Sequence, residues 1–247
     1  MILRLSVFIL FIITLLPLGF SAEKDITVQR IFILIYNQKF AEAEKELEGN
    51  KTQIDQFYNN ILKLDLFWWK YSLSKSKEDA KVLNGILQEF DKSNQNTREN
   101  KINRLIQSSY EMRYEIKRYN YVSALITRSD VRKQLEDLKN EDLTFLGDRR
   151  KLFDFYLTLF DYFDESMNPF SFSSKSKKYL QALSTLEEYS HDEDLILSTM
   201  VHYFLGRIYT KVEKQPEKGQ IHFRILSQRF PENGLFKDLA EGLNTKF

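Results

Sequence analysis

The decisive pattern of the chain is His202-Tyr203-Phe204-Leu205-Gly206-Arg207-Ile208-Tyr209, followed by Gly219-Gln220-Ile221-His222-Phe223. In each stretch a small residue and a large apolar residue recur three or four positions apart, which is the interval of one helical face. Glycine has no side chain, so Gly206 and Gly219 would let two helices approach closely. The spacing predicts an antiparallel helical hairpin whose interior is filled by Leu205, Tyr209 and Phe223. We expect leucine at position 206 to overpack it and alanine, a small helix former, to be tolerated.

The rest of the chain shows the same helical periodicity. Between Thr144 and Met167 one apolar row contains Leu152, Tyr156, Leu159 and Phe163, and a second contains Phe153, Leu157 and Phe160. Two apolar rows are typical of a helix that packs on more than one side. Breaks between such segments predict about eleven helices, arranged as five pairs and a terminal helix. The β-branched segment Ile26 to Tyr36 is compatible with a strand, but its amphipathic neighbour Phe40 to Leu47 favours a helix.

Two short patterns predict where helices begin near the C-terminus. Ser190-His191-Asp192-Glu193 has the spacing of a capping box, in which the first and last side chains satisfy free backbone N–H groups. Pro216, followed by Glu217, is typical of a first helical turn, because that position needs no backbone N–H.

Composition excludes several classes of protein. The chain has 247 residues, of which 43% are hydrophobic and 29% charged, so it can bury a core. With 8 glycines and 4 prolines it is poor in the turn formers of all-β folds and in the glycine-rich loops of doubly wound α/β folds. The absence of cysteine excludes disulfides, thiolate zinc sites, cysteine nucleophiles and a lipid-modified N-terminal cysteine. A net charge of +1 does not favour a nucleic-acid-binding protein.

The decisive hairpin carries a family pattern. Residues 202–209 match the spacing W-x2-L-G-x2-Y with His202 in the tryptophan position, residues 219–223 match A-x3-F, and Pro231 follows where the repeat ends. This resembles the tetratricopeptide repeat family, in particular exported tetratricopeptide-like proteins of Gram-negative bacteria. The match is best over residues 192–236, and Phe40-Ala41-Glu42-Ala43 is similar to the start of another repeat helix. The resemblance implies an all-α solenoid of about five antiparallel hairpins plus a C-terminal capping helix, over residues 22–247.

The first 21 residues have the organisation of a signal peptide. Arg4 precedes the apolar block Leu5 to Leu16, Pro17 ends it, and Gly19-Phe20-Ser21 places small residues at a cleavage site. The block is shorter than the roughly 20 residues that span a bilayer, which favours cleavage over retention as an anchor. Cleavage after Ser21 leaves a neutral mature chain in the periplasm or the extracellular medium. No second apolar run approaches spanning length, so we expect no membrane span after signal removal.

A repeat architecture without a catalytic motif predicts a binding protein. We expect a non-catalytic adaptor that binds a protein or peptide partner in the cell envelope, on a concave surface lined by the first helices of the hairpins. Tyr203, Arg207 and Lys211 recur every four residues and avoid the packing positions, so they are the candidate groove residues. No cofactor, metal or nucleic-acid ligand is expected.

Two alternatives belong to other functional classes. Asp154, Asp161 and Glu165 share a helix face with Thr158, and Asp161 or Glu165 would serve a helical enzyme acting on cell-wall or glycan polymers. A solvated helix face is the simpler interpretation. The other alternative is a structural subunit of an envelope complex, anchored by a retained signal segment.

Four further clusters have both a structural and a functional interpretation. His202 and His222 lie on the two helices of one predicted hairpin and could approach each other, but no third metal ligand accompanies them. We therefore expect His202 to pack in the groove between the helices and His222 to be solvated, rather than a metal site. Of Trp68 and Trp69, one could line a groove while the other packs in the core, but core packing is the favoured interpretation. Tyrosines interleaved with basic residues over positions 110–121 are compatible with nucleic-acid binding, but export favours a solvated helix with a packed edge. The lysines in Ser173 to Lys178 could bind an anion at a helix start, but an exposed loop end is favoured.

Overall fold

The computed structural model describes residues 18–91, 97–138, 141–166 and 176–243. In these residues it contains eleven α-helices, one short 3-10 helix (Thr144–Arg149) and no strand, which confirms the all-α class. The helices are α1 (Leu18–Tyr36), α2 (Phe40–Asn50), α3 (Gln56–Ser74), α4 (Lys77–Asp91), α5 (Arg98–Lys117), α6 (Tyr121–Leu138), α7 (Arg150–Ser166), α8 (Lys177–Tyr189), α9 (Leu195–Lys211), α10 (Pro216–Arg229) and α11 (Gly234–Ala240).

Most of the predicted signal segment lies outside the described residues. From Leu18 onward the backbone is helical, so α1 runs through the predicted cleavage position after Ser21. The segment Ile26 to Tyr36 belongs to the same helix, and the helical interpretation of its β-branched run is confirmed.

The helices pack in sequential pairs. α1 pairs with α2, α3 with α4, α5 with α6, α7 with α8 and α9 with α10, while α11 packs on α10. The first helices also contact one another in chain order, from α1 through α3, α5 and α7 to α9, and α9 returns to contact α1. The first helices therefore form a closed ring around the core.

The loop inside each of four hairpins uses the same backbone geometry. Each of these loops has one residue with a positive φ, between 53° and 64°, and it lies one to three positions after the first helix of the hairpin. These residues are Gln38, Lys75, Tyr119 and Lys214. Residues other than glycine rarely adopt this left-handed conformation. Each of these four hairpins therefore contains one left-handed residue in its turn.

The close approach predicted for the decisive hairpin is confirmed. A Cβ atom at Gly206 would lie 2.6 Å from Cζ of Phe223, and one at Gly219 would lie 2.8 Å from the carbonyl oxygen of Gly206. Leu205, Tyr209 and Phe223 are buried, as expected. This geometry argues against the expected tolerance of alanine at position 206, because even one methyl group would overlap the buried Phe223 ring unless the ring shifts.

One of the two predicted helix starts is confirmed. Pro216 occupies the first turn of α10. The capping box is wrong: Ser190 is the C-cap of α8, and α9 begins later, at Leu195. The carboxylate of Asp194 caps α9 by accepting hydrogen bonds from the amides of Ile196 and Leu197, at 2.8 and 2.9 Å. The reason is that Asp194 directly precedes the apolar run that the core buries.

Candidate functional site

A cavity of about 810 Å³ opens where the first helices α3, α5, α7 and α9 end. Its described lining contains five cationic side chains, Lys75, Arg113, Lys117, Arg207 and Lys211. It also contains seven aromatic side chains, Trp68, Tyr71, Tyr119, Tyr121, Phe163, Tyr203 and Phe204. None of the described lining residues is acidic. We call this feature the cationic cavity.

The three candidate groove residues from the sequence all line the cationic cavity. Lys211 is exposed and Arg207 is half-buried. Tyr203 is only 7% exposed, and its ring packs against Trp69 at a centroid distance of 5.1 Å and against Phe236 at 6.3 Å. The expectation that position 203 avoids packing is therefore wrong. The closed ring is the reason, because it surrounds α9 with other helices and leaves no face of that helix entirely free.

Arg113 lies at the base of the cavity among aromatic rings. Its guanidinium carbon is 4.3 Å from the ring centroid of Trp68, 4.8 Å from that of Tyr110 and 5.2 Å from that of Phe204. Cation–π contacts of this kind hold a guanidinium in place. Of the tryptophan pair, Trp69 is in the core and the largely buried Trp68 lines the cavity. The indole N–H of Trp68 has no hydrogen-bond partner among the described residues.

The cationic side chains of the cavity repel one another. Burial, together with the positive charges of Lys75, Arg207 and Arg113, lowers the pKa of Lys117 from 10.5 to about 8. Cations are favoured at the C-terminal ends of helices, but each helix end offers only about half an elementary charge. The C-terminal ends of α3, α5, α7 and α9 therefore favour cations here, and a lining of five cations without a described acid favours anionic ligands.

Beneath the cavity, a buried polar network joins four helices of the ring. Asp65 is 1% exposed, and its carboxylate accepts hydrogen bonds from the hydroxyls of Tyr110 at 2.8 Å and Tyr36 at 3.1 Å. The hydroxyls of Tyr110 and Tyr156 are 3.3 Å apart. Burial raises the pKa of Asp65, while Arg113 and the two hydroxyls act in the opposite direction. Asp65 was not among the candidate residues from the sequence, although a lone acid inside the apolar run from Ile61 to Tyr71 is a signal of such a buried group.

The carboxylates considered for catalysis lie away from the cationic cavity. Asp154 pairs with Arg150 at 2.8 Å, and Asp161 pairs with Lys178 at 2.8 Å. Glu165 accepts a hydrogen bond from the hydroxyl of Ser176 at 2.7 Å.

Asp161 lines a second cavity, of about 600 Å³, where Arg128 and Arg132 both bind Asp164 at 2.8 Å. In this second cavity the opposite charges are already paired.

The other two clusters from the sequence also have partners. Nδ1 of His202 and Nδ1 of His222 are 2.9 Å apart, and burial lowers the pKa of each histidine to about 4. His222 is half-buried, so the prediction of a solvated position is wrong. Among the described residues no group of three or more potential ligands could hold a metal ion. In the lysine-rich segment, residues 173–175 lie outside the described part, and Ser176 caps α8 through the amide of Tyr179 at 3.0 Å.

Comparisons with known proteins add no relative. No protein-family model matches the chain, no curated protein matches it, and no solved structure matches it. Within the described residues, every helix is too short or too polar to cross a membrane.

Proposed function

We propose that this protein is a non-catalytic adaptor of the cell envelope that binds an acidic peptide segment of a partner protein in the cationic cavity. The observation that carries the proposal is the lining of that cavity, where five cations and seven aromatic rings meet without an acidic residue among the described positions. Arginine and lysine bind carboxylates through charge-assisted hydrogen bonds. Aromatic rings supply apolar contact area for the peptide between its acidic groups.

The size and position of the cavity support a peptide ligand. A volume of about 810 Å³ is within the usual range for ligand sites and holds a few peptide residues. Its mouth lies at the ends of several hairpins, so a chain segment can enter and leave. Catalysis is less well supported, because Asp161 and Glu165 already bind neighbouring side chains and Asp65 is buried below the cavity.

We further propose that the hairpins are tetratricopeptide-like units of a short solenoid. Sequential pairing of the helices, the recurring left-handed loop residue and the glycine crossing of Gly206 and Gly219 support this relationship. A solenoid of five hairpins that curves strongly enough brings its last unit back to its first, as α9 does to α1. Export follows from the signal-like segment at residues 1–21 and places the partner in the periplasm or outside the cell.

A direct test is to titrate the purified protein with a synthetic peptide of alternating glutamate and leucine, and to follow the change in tryptophan fluorescence, to which Trp68 in the cavity lining contributes. We expect saturable binding that weakens as salt is added. A matched peptide in which glutamine replaces glutamate should bind at least about tenfold more weakly, because the cavity then gains no charge pairing.

The variant Arg207→Ala/Lys211→Ala tests the site itself, and Arg224→Ala/Lys237→Ala is its control. Arg224 and Lys237 are exposed cations on α10 and α11 outside the cavity lining, so both variants lose the same charge. We expect only the first to lose peptide affinity, with circular dichroism unchanged in both. Equal affinity in parent and first variant, or an equal loss in the control, would contradict the proposed function.

A further inference from the structure

A stripe of exposed apolar side chains lies at the tip of the third hairpin. Tyr119 is 80% exposed, Tyr121 58%, Val122 71%, Leu125 57% and Ile126 59%. We call these five residues the apolar tip. Most large apolar side chains of the described residues are buried, so a run of five exposed ones within eight positions needs a physical reason.

The spacing of these residues makes them one continuous surface. At the start of α6, the residues of the tip form pairs that are three or four positions apart, so they share one helix face. These residues are Tyr121, Val122, Leu125 and Ile126. The rings of Tyr119 and Tyr121 contact each other, with centroids 6.5 Å apart. The opposite face of α6 packs on the core through Ala124, Thr127 and Val131, all of them buried. The apolar tip is therefore the outer face of a helix that is already held in place.

Positive charges border the apolar tip. Arg118, which directly precedes Tyr119, has a half-exposed side chain and pairs with Glu115 at 4.0 Å. Lys75, Lys117 and Lys211 lie at the same end of the molecule, in the cationic cavity that Tyr119 and Tyr121 also line. The side chain of Glu115 is only 13% exposed. The other acids near the tip, Glu111 and Asp130, lie at its far edge, where they line a small surface depression together with Ile126.

We propose that the apolar tip docks the protein on an anionic phospholipid surface. Tyrosine is enriched at membrane–water interfaces, and aliphatic side chains on one helix face enter the acyl boundary by about 5–10 Å. Each lysine or arginine near an anionic leaflet adds roughly 1 kcal/mol of attraction. The apolar tip has the tyrosines, the aliphatic helix face and the neighbouring positive charges that this mode of membrane binding uses.

A second copy of the chain is a poorer occupant of the same surface. Two molecules that met through their apolar tips would bring two cationic cavities together, and the like charges would repel each other. An anionic bilayer buries the same apolar side chains and neutralises the charges. Charge complementarity therefore favours the membrane.

The test measures binding of the purified protein to sedimenting vesicles. One set is phosphatidylcholine, and the other contains phosphatidylcholine with roughly 30% phosphatidylglycerol, a proportion that makes the surface strongly negative. The parent should bind the anionic vesicles and lose binding at about 0.5 M NaCl, where charges are screened. Binding that is equal on both vesicle types, or absent from both, would overturn the proposal.

The variant Val122→Gln/Leu125→Gln/Ile126→Gln should lower the partition coefficient on anionic vesicles at least about tenfold. Glutamine is a good helix former, so α6 is expected to keep its stability. The matched control is Val82→Gln/Leu180→Gln/Ile221→Gln, which replaces three exposed aliphatic side chains outside the tip and should bind like the parent. Parent-like binding of the tip variant, or an equal loss in the control, would refute docking by the tip.

Two further measurements distinguish insertion into the bilayer from self-association. With Leu125→Trp, the indole emission should shift to shorter wavelength when anionic vesicles are added, and no shift would contradict insertion. Sedimentation equilibrium should give the same mass for the parent and the tip variant, whereas a larger mass for the parent alone would assign the tip to self-association. None of the three residues in the tip variant lines the cationic cavity, so its peptide affinity should be unchanged and the two proposals can fail separately.

Discussion

The side-chain amide of Asn233 donates a hydrogen bond of 2.6 Å to the carbonyl oxygen of Tyr36, 197 residues earlier in the chain. The amide oxygen of the same residue accepts hydrogen bonds from the backbone N–H of Phe236, at 3.1 Å, and from the side chain of Gln38, at 2.7 Å. One buried asparagine therefore caps α11 and joins it to the end of α1. An ion pair between Lys39 and Glu232, at 2.8 Å, lies beside it.

The first prediction is that Asn233→Ala lowers the free energy of unfolding by roughly 2–4 kcal/mol. The change removes a helix cap and leaves the buried carbonyl of Tyr36 without this donor. Urea denaturation followed by circular dichroism measures it. Asn50→Ala is the control, because the side-chain amide of Asn50 donates to the carbonyl of Glu46 in its own helix, at 2.7 Å. A loss there of the same size would argue against a special role for Asn233.

The second prediction concerns the crossing of α9 and α10. Gly206→Ala should destabilise the protein by about 1–3 kcal/mol, because the new methyl group would overlap the Phe223 ring. Gly85→Ala is the control, since a Cβ atom at Gly85 meets nothing within 4 Å and alanine is the better helix former. Gly85→Ala should therefore stabilise slightly in the same thermal melt. Equal effects of both substitutions would mean that the two helices do not cross as closely as the Phe223 contact requires.

The third prediction is acid sensitivity from the histidine pair. Burial lowers the pKa of His202 and of His222 from 6.5 to about 4, so between these values the unfolded chain binds more protons than the folded one. Stability should therefore fall as the pH falls from about 6.5 to about 4. Arg229 and His191 strengthen the effect at His202, and Glu187 opposes it at His222.

The change His222→Gln should flatten this pH dependence, because one of the two titrating groups is gone. His191→Gln, at an exposed position, is its control and should leave most of the dependence in place. Denaturant unfolding at several pH values compares the slopes. An unchanged slope in His222→Gln would contradict the role of the pair.

The fourth prediction is that Lys117 titrates near pH 8. Burial and the charges of Lys75, Arg207 and Arg113 lower its pKa, so Arg207→Gln should raise it. Binding of the acidic peptide should also raise it, because an anion favours the protonated amine. NMR of isotopically methylated lysines follows the titration. A pKa near 10.5 in the unliganded parent would contradict the electrostatic description of the cavity.

The fifth prediction concerns export. The protein isolated from its host should begin at Ala22 or Glu23, because Gly19 and Ser21 place small residues where signal peptidase requires them. N-terminal sequencing or intact mass decides it. A chain that begins at Met1 and sediments with membranes would instead support the anchored alternative.

Features that depend on neighbouring residues could be predicted before the structure was known. The all-α class, the helix over Ile26 to Tyr36 and the start of α10 at Pro216 follow from helical periodicity and from proline's missing N–H. The close crossing of the two helices at Gly206 and Gly219 could also be predicted, since both residues belong to one hairpin with a short loop. Alanine at position 206 was misjudged, because the sequence cannot show that the Phe223 ring lies 2.6 Å away.

The helices and their sequential pairing follow from the local sequence, because they depend on contacts between residues close in the chain. The packing of the whole chain is what brings Lys75, Arg113 and Arg207, from three hairpins, to the lining of one cavity and places Asp65 beneath it. The same holds for the meeting of Asn233 with Tyr36. Each hairpin is rotated by some angle relative to the one before, and only the sum of these rotations sets which helix ends converge and whether the ring closes.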